Sequence, residues 1–317
     1  MVDGNRHWPT DADHEQAGLS EEDMRAAEIV GVHGIGQSGT SEEQLTRDWR
    51  KALGRGIAEF TDLSGFPIAL RVPHWTSLLV KGVDHLGPQD DPYGESMTPE
   101  EEQFVAEALG DIVGPQDLAY AEEQPLAVLG PPKLWSPRIT RLLIAYDHRF
   151  PGGGGLVFVR RMREVRSYLT EPDLAANVRA LVRDHVTATT SVVIGHSLGS
   201  VIAYDLFHHE DDAAGRTSGC LLGPAVDTLI TCGSPLGIPS VRRLMKIKDS
   251  EHLHLPNHVR WINVHDPDDV VTGGIGLRRV APGLVDAAVD NGLIDPHSAV
   301  RYLRSEPVAR AVTGRRP

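Results

Sequence analysis

Short apolar runs alternate with longer stretches of helical period along most of this chain. The short runs are rich in valine and isoleucine, which is typical of strands buried on both faces of a parallel sheet. They occupy residues 29–32, 67–72, 192–194, 225–231, 260–264 and 284–289. Stretches with apolar residues three or four apart cover residues 41–60, 158–169, 175–186, 198–207 and 298–312. This order predicts an α/β fold, with a mostly parallel sheet and helices on both of its faces.

The alternation stops between residues 81 and 155, where prolines are frequent. Thr98, Pro99 and Glu101 predict a capped helix there, and residues 134–146 predict a second one. The four glycines at 152–155 predict a flexible joint. We therefore divide the chain into an N-terminal arm (1–27, with a short helix over 20–27), a core (28–80 and 156–317) and a helical cap insertion (81–155). The insertion is a mobile lid, a rigid surface excursion or a surface for a partner.

One stretch changes from strand to helix at a single serine. Ser197 lies in the sequence GHSLG, after the strand at 192–194 and before a helix with Leu198, Ile202 and Leu206 on one face. The motif alone occurs by chance in chains of this length, so the strand-to-helix context carries the interpretation of a nucleophile elbow. Ser197 is therefore a candidate nucleophile, and the N–H of Leu198 is a candidate oxyanion donor. An ordinary buried turn is the alternative.

A second glycine-rich turn, HGIGQ, directly follows the strand at 29–32. Glycines let the backbone turn sharply there, which leaves the N–H of Ile35 as the second candidate oxyanion donor. Each such donor is typically worth about 2.7–4 kcal/mol in the transition state. A phosphate-binding loop is the alternative, but no Gly-Lys-Ser/Thr follows, and the glycine spacing does not match a dinucleotide fingerprint.

The strand at 260–264 ends in three aspartates, and a histidine precedes the last helix. Loops at the carboxyl ends of parallel strands face one crevice, so these residues are expected near Ser197. Asp269 is favoured as the acid that orients His297, because Asp266 precedes a proline and is explained as a turn initiator. Asp266 and Asp268 remain alternatives, since element boundaries are uncertain by a few residues.

Composition and charge narrow the function classes. The net charge of −13 argues against nucleic-acid binding and against attraction to anionic membranes, so neutral or cationic substrates fit better. The only two cysteines, Cys220 and Cys232, lie in apolar surroundings, so we expect free thiols in the cytoplasm rather than disulfides. No signal-peptide core or integral membrane segment is evident. The oligomeric state stays open.

Four histidines are clustered in the second half of the chain, at His252, His254, His258 and His265. Neither thiolates nor an HExxH pattern accompanies them. We therefore expect positions on the surface and beside a strand, and no metal site.

The chain order of serine, acid and histidine resembles the lipase and esterase branch of the α/β-hydrolase superfamily. HGIGQ, GHSLGS, TCGSPLG, WINVHDPDDVV and DPHSAVRYL look like its oxyanion strand, elbow, following strand and loop, acid loop and histidine loop. The resemblance spans about residues 29–310 and leaves the cap unmatched. No antiparallel strand pair is evident before residue 29, which implies the reduced sheet found in many lipases.

This resemblance implies a serine hydrolase that cleaves carboxylic ester or thioester bonds of a lipid-like or small acyl substrate, with no cofactor. Ser197 would attack, His297 would act as base, and Asp269 would orient the ring. A phospholipase or lysophospholipase, or an acyltransferase, would use the same triad. A non-catalytic binding module with this fold is the alternative from another class, and it would be indicated by a missing triad member.

Overall fold

Six strands form one parallel sheet in the computed structural model, which describes residues 27–37, 39–81, 97–125, 135–208 and 222–314. The strands are β1 (Ala27–Val32), β2 (Ile68–Arg71), β3 (Thr190–His196), β4 (Thr228–Cys232), β5 (Arg260–His265) and β6 (Val285–Ala288). Their order is β2-β1-β3-β4-β5-β6, and every pairing between neighbours is parallel. All six strands predicted from the apolar runs are therefore present.

The strand order reverses at β1, which pairs with β2 on one side and with β3 on the other. The loops that leave the carboxyl ends of β1 and β3 therefore diverge to opposite sides of the sheet. In open α/β sheets such a switch point opens a crevice at the carboxyl ends of the strands. HGIGQ and GHSLG both lie there.

Helices cover both faces of the sheet, as the pattern predicted. Consecutive strand residues point to opposite faces, so Val192 and Ile194 pack in one apolar cluster and Val193 packs in the other. The first cluster contains α1 (Glu42–Phe60), α9 (Ala299–Arg304) and α10 (Glu306–Val312). The second contains α5 (Gly155–Thr170), α6 (Pro172–Arg183), α7 (Leu198–His208) and α8 (Pro239–Leu244). The α/β class and the layered arrangement are thus confirmed.

The insertion contributes three helices, α2 (Pro99–Gly110), α3 (Pro115–Glu123) and α4 (Pro137–Arg149). Residues of α2 and α4, among them Phe104, Leu109, Leu143 and Tyr146, belong to the same apolar cluster as the sheet residue Val193. The described part of the insertion is therefore packed into the core of the α/β domain. The division of the chain into arm, core and cap stays a prediction.

The sequence analysis was wrong about some helices. The closing helix predicted over 298–312 is two helices, which separate at Ser305 because Pro307 cannot donate a backbone hydrogen bond to the preceding turn. Helix α3 was not predicted. Short 3₁₀ helices at Trp75–Lys81 and Pro235–Gly237 were also missed. The arm and its predicted helix lie outside the described residues, except that Ala27 belongs to β1.

Candidate active site

Ser197 occupies a sharp turn between β3 and α7. Its backbone φ is +55°, a left-handed value that non-glycine residues rarely adopt, so the expected strain is present. A Cβ on Gly195 would lie 2.6 Å from the Cα of Ser200, and one on Gly199 would lie 2.0 Å from the carbonyl oxygen of Val32. Both flanking glycines are therefore required by close backbone approach, which is the reason that the elbow motif gives for them.

Hydrogen bonds fix the strained turn to its neighbours. The N–H of Ser197 donates to the carbonyl of Cys232 over 3.0 Å. The hydroxyl of Ser200 donates to the carbonyl of Ser197 over 2.5 Å and contacts the hydroxyl of Ser234 over 2.7 Å. These contacts tie the elbow to the end of β4. They stabilise the left-handed backbone conformation of Ser197, which is unfavourable for a residue other than glycine.

The HGIGQ turn lies directly against the elbow. A Cβ on Gly34 would be 2.8 Å from the Cβ of Ser197, so Ile35, the next residue, is also close to the serine. The indole of Trp75 donates to the carbonyl of His33 over 2.9 Å, and the His74 ring bonds the carbonyl of Gln37 over 2.9 Å. His74 and Trp75, which the sequence left without a role, therefore hold this turn in place.

Both proposed oxyanion donors lie beside the elbow. Leu198 is the first residue of α7, so its N–H has no acceptor within the helix. Ile35 lies in the turn against Ser197 and is 7% exposed. Two backbone N–H groups beside one serine, at the positive end of a helix dipole, are what an oxyanion requires chemically. Their role stays a prediction.

Asp269 and His297 form a hydrogen-bonded pair. The Nδ1 of His297 lies 2.8 Å from the Oδ2 of Asp269, whose side chain is completely buried. Burial by itself would raise the pKa of Asp269, but the charge of His297 and hydrogen bonds from His297, Tyr302 and the Val271 N–H hold it below its usual value. The carboxylate is therefore ionised at neutral pH. An ionised carboxylate can only accept hydrogen bonds, so the Nδ1 of His297 carries the proton.

The other two aspartates have different surroundings. Asp266 accepts the N–H groups of Asp268 and Asn291 over 2.8 and 2.5 Å, so it joins the acid loop to the loop that leads to His297. Burial, which these bonds only partly offset, raises the pKa of Asp266. Asp268 is exposed. Of the three candidates, Asp269 is the one that the structure places against His297.

His297 presents a free nitrogen next to the elbow. Its Nε2 is buried and has no hydrogen-bond partner among the described residues. His196, the residue before Ser197, donates from Nε2 to the carbonyl of His297 over 2.8 Å, and the two rings lie 4.7 Å apart. The structure thus pairs His297 with Asp269 directly. It links His297 to Ser197 through His196, and no hydrogen bond between Ser197 and His297 is formed within the described part of the chain.

Three side chains of the site were not found from the sequence: His196, Tyr302 and Tyr146. Tyr302 donates to the Oδ2 of Asp269 over 2.7 Å, and Tyr146 donates to the carbonyl of Val270. Both tyrosines occupy apolar faces of helices, so periodicity assigns them to the core. Only their hydroxyl groups, which need a partner when buried, gave a signal.

Comparison with protein-family models gave no match to this chain, and comparison with curated proteins gave none either. Within the described ranges, no helix is both long and apolar enough to cross a membrane. Nor do the described residues contain a group of three or more His, Cys, Asp or Glu side chains that could hold a metal ion. The geometry of the site is therefore the basis for assigning a function.

Proposed function

We propose that this protein is a serine hydrolase of the α/β-hydrolase class, which cleaves carboxylic ester or thioester bonds through an acyl-serine intermediate. The observation that carries the proposal is a strained serine, Ser197 at φ +55°, near a hydrogen-bonded Asp269–His297 pair, in which the Nε2 of His297 is buried and has no partner among the described residues. Strain of this kind is kept where it serves a site. The sheet order and the switch point at β1 support the same class.

The mechanism follows from the proton positions. His297 carries its proton on Nδ1, so Nε2 is free to take the proton of the Ser197 hydroxyl as its oxygen attacks the substrate carbonyl. Asp269 stabilises the imidazolium that results. The N–H groups of Ile35 and Leu198 would stabilise the oxyanion, and His297 would then give its proton to the leaving alcohol or thiol. In the second half of the reaction His297 would take a proton from water, whose oxygen attacks the acyl carbon, and would return that proton to the Ser197 oxygen as the acid is released.

Two alternative enzyme classes would use the same triad, and a third alternative, a non-catalytic binding module, would use no catalytic site. A phospholipase or lysophospholipase would take a larger acyl ester, and an acyltransferase would pass the acyl group to an alcohol instead of water. A lipid-like or small acyl ester is the substrate that we propose. Cytoplasmic location also stays a proposal, and the buried free thiol of Cys232 is compatible with it. A non-catalytic binding module would have no need for an ionised Asp–His pair beside a strained serine.

Covalent labelling with a fluorophosphonate probe tests the proposal. The wild-type protein should react, Ser197→Ala should not, and Ser250→Ala, at an exposed loop serine, should react like wild type. The same three proteins are then assayed on p-nitrophenyl acetate, with circular dichroism to show that each is folded. A folded wild-type protein that neither reacts nor turns over ester, or a Ser197→Ala protein as active as wild type, would exclude the serine mechanism.

Assays with lysophosphatidylcholine and with an added alcohol acceptor then separate the alternatives. Release of fatty acid from the phospholipid indicates a lysophospholipase. Transfer of acyl groups to the alcohol in preference to water indicates an acyltransferase.

A further inference from the structure

A buried tyrosine hydroxyl contacts the acid of the proposed triad. Tyr302, on α9, is completely buried, and its hydroxyl lies 2.7 Å from the Oδ2 of Asp269 and 3.0 Å from the backbone nitrogen of Asp266. The Asp266 N–H can only donate, so the hydroxyl oxygen accepts from it. The hydroxyl hydrogen therefore points to Asp269, and the direction of this hydrogen bond is fixed by the backbone.

Tyr302 and His297 donate to the same carboxylate oxygen. His297 Nδ1 lies 2.8 Å from Oδ2 of Asp269, and the remaining oxygen, Oδ1, accepts the N–H of Val271 over 2.8 Å. When several donors bind one anion, each takes up part of the negative charge of that anion and leaves less of it to act on the other donors. The hydroxyl of Tyr302 therefore decreases the share of the Asp269 charge that acts on His297.

Gly233 leaves room for this convergence. A Cβ at that position would lie 3.0 Å from the Oδ2 of Asp269, 3.0 Å from the Tyr302 ring and 3.1 Å from the His297 ring. Its φ of +54° also favours glycine. The three side chains thus meet over a backbone that has no side chain of its own.

We propose that Tyr302 is a positioning residue, which holds Asp269 in place and limits the share of the Asp269 charge that acts on His297. This inference rests on the proposed function. A hydroxyl that served only to fill the core would not need a buried carboxylate as its acceptor.

The ionisation state of Tyr302 does not vary in the physiological range. Burial, together with the charge of Asp269 and the hydrogen bond to it, raises the pKa of the phenol well above its usual value. Other ionisable groups that act on this cluster are His196, Cys232, Tyr146, Asp266 and Arg161.

Three of those groups stay uncharged. Burial lowers the pKa of His196 to about 3 and raises the pKa values of Cys232 and Tyr146. These three groups therefore keep the same charge between about pH 5 and 8.

Tyr302→Phe removes the hydroxyl and keeps the ring. More of the Asp269 charge then acts on the imidazolium, so His297 should release its proton at higher pH. We expect the acid limb of the kcat profile on p-nitrophenyl acetate to move up by about 0.5–1 pH unit. At pH 6 kcat should fall about 3–10-fold, while KM stays within twofold, because the hydroxyl does not touch the substrate.

Tyr168→Phe is the matched control. Tyr168 is also fully buried, and its hydroxyl donates over 2.7 Å to the carboxylate of Asp205, which lies on α7, remote in sequence from the loops that carry Asp269 and His297, and also bonds Arg179. This variant loses the same kind of hydrogen bond and should lose stability. Its pH profile should match wild type.

An NMR titration of the His297 ring, in a Ser197→Ala background, provides a readout that needs no turnover. The ring signal is assigned by its loss in His297→Gln. A higher titration midpoint in Tyr302→Phe, absent in Tyr168→Phe, supports the proposal. An unchanged midpoint in a folded Tyr302→Phe protein overturns it. A wild-type protein without esterase activity would overturn the proposed function instead, and the titration would still decide the role of Tyr302.

Discussion

Gly154, in the turn before α5, packs directly against Val270, the residue that follows Asp269. A Cβ on Gly154 would lie 2.5 Å from a methyl carbon of Val270. The hydroxyl of Tyr146 donates to the carbonyl of Val270, and a Cβ on Gly273 would lie 2.7 Å from Ile112. Helices of the insertion and the turn after them therefore support the acid loop. Gly154 has no free space around its missing Cβ. It therefore does not behave as part of the flexible joint that was expected from the four glycines.

Gly154→Ala should therefore damage catalysis through the acid loop. The added methyl group must displace Val270, and with it Asp269, so we expect a loss of about 10-fold or more in kcat, by the sensitivity of catalysis to small misplacements. The loss should be the same on p-nitrophenyl acetate and on a long-chain ester, since the acid serves both substrates. Steady-state kinetics on the two esters is the measurement.

Gly153→Ala is the neighbouring control. Gly153 has φ +80° and open space around its missing Cβ, so alanine there strains the backbone by about 1–2 kcal/mol without touching Val270. It should lower the melting temperature and keep the rates. If Gly154→Ala instead slowed only the long-chain ester, the insertion would be acting as a lid.

Asp269→Asn should lose up to ~10⁴-fold in kcat, because the amide favours the wrong tautomer of His297. Asp268→Asn, at an exposed position, should leave both rate and stability unchanged. Asp266→Asn should mainly lower stability, since Asp266 holds the Asn291 N–H at the start of the loop to His297. Kinetics and urea unfolding of the three variants separate these outcomes, and a larger loss of kcat in Asp266→Asn than in Asp269→Asn would reassign the acid.

The strands and the elbow could be predicted because their signals are local. Strands buried on both faces are continuous apolar runs, and the turn at Ser197 needs glycine at two fixed positions. The structure places Asp269, and not Asp266, against His297, and the proline after Asp266 was the sequence signal for that preference, while the catalytic role of Asp269 stays a prediction. The support of Asp269 by Tyr302 could not be predicted, because these residues are 33 positions apart and belong to different elements.

The packing of the insertion was equally hidden from the sequence. Pro99, Pro115 and Pro137 each begin a helix, and the sequence predicted the helices at Pro99 and near Pro137 but missed the one at Pro115. The contact of Gly154 with Val270 joins segments more than a hundred residues apart. Long-range contacts of this kind depend on the tertiary structure, which apolar periodicity does not specify.

Acid should destabilise the protein through two buried histidines near the elbow. Burial lowers the pKa of His33 to about 4 and that of His196 to about 3. Between those values and about 6.5 the unfolded chain binds protons that the folded state excludes, so stability falls as pH decreases. Each excluded proton contributes a slope of about 1.4 kcal/mol per pH unit. Urea unfolding between pH 7 and about 4.5 measures this slope.

His196→Gln should decrease that slope by about one proton, since glutamine can still donate to the His297 carbonyl and does not titrate. His258→Asn, at an exposed histidine, should leave the slope as in wild type. A His196→Gln protein with the wild-type slope would show that His196 becomes protonated without unfolding.

Gly34→Ala tests the contact between the HGIGQ turn and the elbow. The added Cβ would lie 2.8 Å from the Cβ of Ser197 and 3.1 Å from the His196 ring, so the turn must move away from the serine. This displaces the N–H of Ile35, and loss of one oxyanion donor typically costs about 10²–10³ in kcat. Gly39→Ala is the control, because nothing lies within 4 Å of a Cβ at Gly39, beyond the same turn. We expect kcat on p-nitrophenyl acetate and the rate of fluorophosphonate labelling to fall together in Gly34→Ala and to stay unchanged in Gly39→Ala. A folded Gly34→Ala protein with wild-type kcat would remove Ile35 from the oxyanion site and leave Ser197, His297 and Asp269 as they are.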